Sequence, residues 1–200
     1  MDLDEFGRRS EELAARLGVP SPDVESGSLP EWCMNGLRLR RKKRQSVVVV
    51  GSAFDGLSAA EQEGALAYVV AASGFAAAAR DDSSNAGLKR VSRIIGFVFG
   101  GSISLTVFLC VLGSPAAALV SALVLVLSLF AFIAVIVSWT RQMIYRTDRL
   151  VTDVMGRPVM DMLFERERGG PRPPGLQGLY ARVGIPSDRR RLERLDAVLH

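Results

Sequence analysis

The sequence holds one histidine, His200, its last residue, and two cysteines, Cys33 and Cys110. With so few imidazole and thiol groups there is little from which to build a zinc centre, which takes three or four His, Cys or carboxylate ligands. A disulfide is not expected either, because Cys110 falls in a long apolar run and Cys33 in a polar part of the chain. Charge is missing over a longer interval. From Ile94 to Thr140 no residue is charged, a run about twice the ~20 residues that one helical span needs. Gly113-Ser114-Pro115 interrupts it, and Pro115 suits a turn or the first turn of a helix. The run therefore predicts a two-helix transmembrane hairpin over 94–140, with spans 94–112 and 116–139. Two helices buried in a soluble bundle would carry a polar stripe, and these do not.

Basic residues flank both outer ends of the run, Lys89, Arg90 and Arg93 before it and Arg141 and Arg146 after it. The turn between the spans carries none. The positive-inside rule then places both termini in the cytosol of a multi-pass protein of the cell membrane. The N-terminal stretch "MDLDEFGRRSEELAARLG" is acidic and amphipathic rather than basic and then apolar, so the first span is expected to act as its own insertion signal.

Outside the hairpin, "EFGRRSEELAARL" predicts an amphipathic helix over 5–17 with Phe6, Leu13, Ala14 and Leu17 on one side and Gly18 as its cap. A loop, "SPDVESGSLPEW", follows. "CMNGLRL" and "SVVVVGSAF" read as strands joined by the basic run, and Val47–Val50 suits a strand buried on both faces. Ser58 and Glu61 have capping-box spacing and open a helix that, from Gly64 on, carries no charge until Arg80. That helix is short and Ala-rich for a third span, which favours a buried core helix. Past the hairpin, "SWTRQMIYRTDRLVTDVMG" continues as helix to Gly156, and "PVMDMLFERER" forms another segment. "GGPRPPG" is a loop, and "PSDRRRLERLDAVL" a last helix capped by Ser187 or Asp188. Residues 1–90 and 141–200 then share one side of the membrane and form one α+β domain, mainly helical with a small sheet.

These segments, in this order, resemble the M48 family of membrane zinc peptidases (HtpX-like). "LSAAEQEGALAYVVAAS" is similar to the family's helix L-x-x-x-E-x-x-x-x-L-A-H-E-x-x-H, and "TRQMIYRTDRLVTDVMG" to its S-R-x-R-E-Y-x-A-D helix. "GRPVMDML" resembles G-x-P-x-x-x-x-x-L, and "PSDRRRLERL" the closing H-P-x-x-x-x-R-x-x-x-L. The resemblance covers most of the chain and implies a gluzincin-type fold interrupted by the hairpin. It also implies where catalysis would sit. Tyr68 stands at the first zinc-binding His, Val69 at the catalytic Glu, Ala72 at the second His and Ile144 at the third ligand.

The chemistry is missing at all four positions. Tyr68 and Ala72 keep the i, i+4 spacing of two ligands on one helix face but cannot form the site. Val69 has no proton acceptor to serve as general base. No catalytic residue, no metal ligand and no cofactor is expected, and the vacated face of the helix should pack as core. Zinc would be implied by family membership alone.

Two other places invite a ligand. Asn35-Gly36 resembles the Asn-small pair on the family's cleft-edge strand, where an extended peptide would add by strand pairing; the bland reading is a closed turn. Arg38, Arg40, Arg41, Lys42, Lys43 and Arg44 suit contact with anionic lipid, or equally a solvated hairpin tip. No aromatic residues interleave with them, so nucleic acid is not expected. Asp148 is expected to pair with Arg146 or Arg149 for structure. The partners implied are the bilayer and a protein not named by the sequence. The functional readings are an inactive pseudopeptidase that binds or regulates a protein, an active membrane metallopeptidase, and a membrane scaffold without a peptide groove.

Overall fold

Helix α1 spans Leu3–Leu17 and starts where the Asp2 side chain accepts from the Asp4 N–H at 3.0 Å. It stops at Gly18, whose φ of 64° lets the chain reverse while Val19 N–H bonds Ala14 O at 3.0 Å. Phe6, Leu13, Ala14 and Leu17 are buried as their spacing requires, and Ser10 joins them. The protein is known here as a computed structural model that describes residues 2–42, 45–78, 86–111, 115–168, 170–171 and 173–199. It forms two compact units, Met1–Arg80 with Arg141–His200, and Asp81–Thr140.

In the first unit, β1 (Asp23–Ser26), β2 (Leu37–Lys42) and β3 (Gln45–Val50) form a sheet in the order β1-β3-β2. β3 runs parallel to β1 and antiparallel to β2, with Leu37 opposite Val50 and Lys42 opposite Gln45. As the central strand it buries Val47–Val50, none more than 8% exposed. Three expectations are corrected here. The basic run does not connect two strands: Arg38, Arg40, Arg41 and Lys42 are themselves in β2, an edge strand that tolerates charge on its solvated side. Lys43 and Arg44 lie outside the described residues. Cys33–Gly36 is a turn before β2, closed by Gly36 N–H to Cys33 O at 2.9 Å, with Gly36 at φ 62°. Asp23–Ser26, expected as loop, is a strand, because pairing with distant β3 supplies an order that its own composition does not.

Helix α2 covers Ala59–Ala78. Ser58 and Glu61 make the capping box: Ser58 N–H and hydroxyl donate to Glu61 Oε2 at 2.8 and 2.7 Å. Arg166 Nη1 donates to Glu61 Oε1 at 2.7 Å. The Ser58 hydrogen bonds, with Arg166 adding, hold the Glu61 carboxyl below its usual range. A depressed folded-state value contributes stability above the unfolded value and loses it as pH falls through the folded one. Wild-type protein should therefore lose stability faster than Glu61→Gln as pH drops below 4.5, in denaturant melts across that range. The Ala and Gly content of α2 has a packing cause. A Cβ on Gly64 would meet Val159 Cγ1 at 2.6 Å, and one on Gly74 would strike Val19. Neighbouring segments approach α2 from several sides, so it is apolar nearly all round.

Helix α3 is Ala86–Val111, and α4 runs unbroken over Pro115–Met155. Leu119–Met155 contains a stretch of mean hydropathy 3.0, the one among the described residues long and apolar enough to cross a membrane. The apolar part of α3, Gly96–Phe108, is shorter. Within the second unit, Thr106 Oγ1 and Ser121 Oγ lie 2.7 Å apart, and Ser121 donates to Ser102 O at 3.2 Å, tying α3 to α4. Residues 79–85 and 112–114, which hold part of the expected linker and most of the expected turn, lie outside the described residues.

Gly156, at φ 87°, ends α4 as expected, and α5 (Arg157–Glu167) follows with Pro158 in its first turn. Helix α6 (Gly175–Gly184) was not anticipated; α7 is Asp188–Leu199, preceded by Ser187. Both cysteines are free.

Candidate functional site

Four helices of the first unit each send one polar side chain to a common point beside β2. Tyr68 comes from α2, Asp148 from α4, Glu167 from the end of α5 and Arg191 from α7. Asp148 is 0% exposed and Arg191 4%. Arg191 Nε donates to Asp148 Oδ2 at 2.8 Å and Nη2 to Oδ1 at 2.5 Å, a fork matched to the carboxylate. Nη2 also donates to the Tyr68 hydroxyl at 2.9 Å, while Nη1 stands 3.8 Å from Glu167 Oε2. The guanidinium lies 4.3 Å from the Phe164 ring centre. Asp148 thus takes its partner from α7, not Arg146 or Arg149 as expected, and Arg149 approaches Asp153 instead. A carboxylate so deeply buried needs a partner that fully satisfies it, and an exposed neighbour one turn away does not.

Burial sets the ionisation here. It pushes the Tyr68 phenol well up, against the pull of the Arg191 charge. Burial also raises the Glu167 carboxyl, with Arg191 opposing and Asp188 and Asp148 adding. For Arg191, burial pulls the value down, but the hydrogen bond to Asp148 and the charges of Tyr68, Asp148 and Glu167 outweigh it. The guanidinium stays charged and the phenol stays neutral.

Beside this cluster opens a cleft of about 950 Å³, walled by Asn35, Leu37, Arg38 and Leu39 on one side and by Glu167, Ala181 and Ile185 on another. A smaller cavity of about 190 Å³ shares Asn35, Leu37, Tyr68 and Glu167 with it and is floored by Val69, Met160, Leu163 and Phe164. Asn35 borders both, and its Oδ1 is buried without a hydrogen-bond partner. Gly36 serves the turn: its carbonyl accepts from Gly51 N–H at 2.8 Å, and a Cβ there would collide with the Phe54 backbone.

The four positions implied by the resemblance separate. Tyr68 and Val69 line the small cavity; Ala72 and Ile144 are half-buried and line neither space. The expectation that the whole vacated face packs as core is corrected, since Tyr68 stays half-buried at a cleft wall. None of the four is a zinc ligand, and the position of the first is filled by a phenol bonded to a cation. These residues do not fit a zinc ion. Among the described residues no group of three or more His, Cys, Asp and Glu is placed to hold a metal.

On β2, Arg38 stacks 5.1 Å from the Trp32 ring and borders the cleft, while Lys42 pairs with Glu25. Arg40 and Arg41 are exposed. Arg191 and Glu167 escaped sequence reasoning. Arg189, Arg190 and Arg191 look alike in a row, and the signal was that only Arg191 shares a helical face with Leu195, four residues on. No family model, no curated protein and no solved structure matches this chain.

Proposed function

We propose that the protein is a catalytically inactive, M48-like pseudopeptidase of the cell membrane that holds an extended protein segment in the cleft beside β2. The observation that carries this reading is a convergence. The segments that resemble the family's ligand helix, its E-Y-x-A-D helix and its closing motif meet at Tyr68, Asp148 and Arg191, within hydrogen-bonding distance. That meeting supports the reading because the same three stretches carry the resemblance. Strand β2 is a sheet edge on the cleft wall, and an added strand would satisfy its outer backbone groups. In this reading α3 and α4 form a two-span hairpin clasped by Ser121, with both termini cytosolic and the basic flanks on that side.

The test uses full-length protein in detergent with fluorescein-labelled, unfolded casein. Saturable anisotropy, lost in Ala181→Trp, which fills the cleft, and no cleavage with or without added zinc would support the proposal. Cleavage accompanied by about one zinc per chain would make it an active metallopeptidase despite the missing ligands. No binding by the wild type would leave a membrane scaffold without a groove.

A further inference from the structure

Three arginines from three parts of the first unit border the large cleft: Arg38 of β2, Arg168 just past α5 and Arg182 of α6. All three are exposed. Among the described residues none of them has a carboxylate partner, whereas Arg166 and Arg191 are paired with Glu61 and Asp148. An exposed arginine is ordinarily just a solvated side chain. These three differ in sharing one concavity, whose low-dielectric walls concentrate the field of the charges on them.

The carboxylates that line the same cleft are committed elsewhere. Glu167 stands 3.8 Å from Arg191, and Asp188 opens α7, where the helix N-terminus favours its negative charge. Arg38 is also steadied for contact, its guanidinium lying 5.1 Å from the Trp32 ring centre. Arg40 is two residues further along β2, so it shares the face of Arg38, and it too is exposed. The sheet edge at the cleft thus carries positive charge at alternate positions. An extended segment added to β2 presents its own side chains at that same interval. Opposite charges facing across strands stabilise such a pairing, and like charges oppose it.

We propose that the segment the cleft holds is acidic, with carboxylates at alternate positions facing Arg38 and Arg40 and others meeting Arg168 and Arg182. The proposal rests on the cleft holding an extended protein segment, and adds the chemistry of that segment. A peptide is favoured over single-stranded nucleic acid because Trp32, the indole on this wall, is already stacked on Arg38.

The test uses full-length protein in detergent and three fluorescein-labelled peptides, alternating Thr with Glu, with Gln or with Lys. At low salt the Glu peptide should bind about tenfold tighter than the Gln peptide, as several exposed opposite-charge pairs together would give. The gap should close as salt is raised. Arg38→Glu/Arg182→Glu should transfer the preference to the Lys peptide, a reversal that misfolding cannot produce. Equal binding of the Glu and Gln peptides, with labelled casein still bound and lost in Ala181→Trp, would overturn the acidic assignment and leave the cleft reading standing. Failure of casein and of all three peptides to bind would overturn both. A preference for Glu that survives in the double variant would place the anion site elsewhere on the protein and overturn the proposal. Displacement of the Glu peptide by a single-stranded oligonucleotide, equal in wild type and double variant, would do the same.

Discussion

Arg191→Met should lower unfolding stability by about 3–5 kcal/mol, because it strands the Asp148 carboxylate in a dry interior. The fork of 2.8 and 2.5 Å hydrogen bonds is that carboxylate's compensation, and Tyr68 loses a donor at the same time. Asp148→Leu should cost a comparable amount by leaving the guanidinium unpaired. The double variant Asp148→Leu/Arg191→Met should recover most of the loss, since apolar residues of similar volume often replace a buried pair without penalty. Urea melts of the four proteins in one detergent form the cycle. Two single losses that simply add in the double variant would show that the pair does not act as a unit.

The second large effect is expected from restoring the family's chemistry. Tyr68→His, Val69→Glu, Ala72→His and Ile144→Glu together should destabilise the metal-free protein by several kcal/mol. Val69 is half-buried and lines the small cavity together with Met160, Leu163 and Phe164, so a carboxylate there loses part of its hydration among apolar side chains or takes up a proton. Tyr68→His removes the phenol that accepts from Arg191 and brings an imidazole toward a fixed cation. Zinc that binds only the folded state should return part of the loss by mass action, if these helices keep the spacing of a gluzincin site. Thermal melts with and without zinc read both effects. Metal-free stability equal to the parent would mean that the four positions face open water. Destabilisation with no recovery in zinc would count against a gluzincin geometry of these helices and so against the family reading.

How much was legible varies with the range of the interaction involved. Helix α1, its Gly18 terminus, the Ser58–Glu61 box, the end of α4 at Gly156 and the burial of Val47–Val50 are local in origin. Each follows from a capping residue, a steric limit or a run of β-branched side chains within a few positions. β1 was not legible, because Asp-Val-Glu-Ser has no strand pattern and becomes one only by lying along β3. The basic run was misplaced for the same reason: charge suggested a connection, while ladder pairing with β3 carries the strand through it. Helix α6 hid behind prolines and glycines, which read as loop.

The sequence by itself determined that this chain has a long apolar helix fit to cross a membrane, and that residues 68, 69, 72 and 144 carry no zinc chemistry. Composition and side-chain identity are enough for both, because a missing charge or ligand is missing in every conformation. Only the tertiary structure decided which arginine of three meets Asp148, that Tyr68 shares it, and that Asn35 and β2 border the same cleft. Those facts join residues as far apart as 35 and 191, and packing alone selects one such meeting from many that the sequence allows.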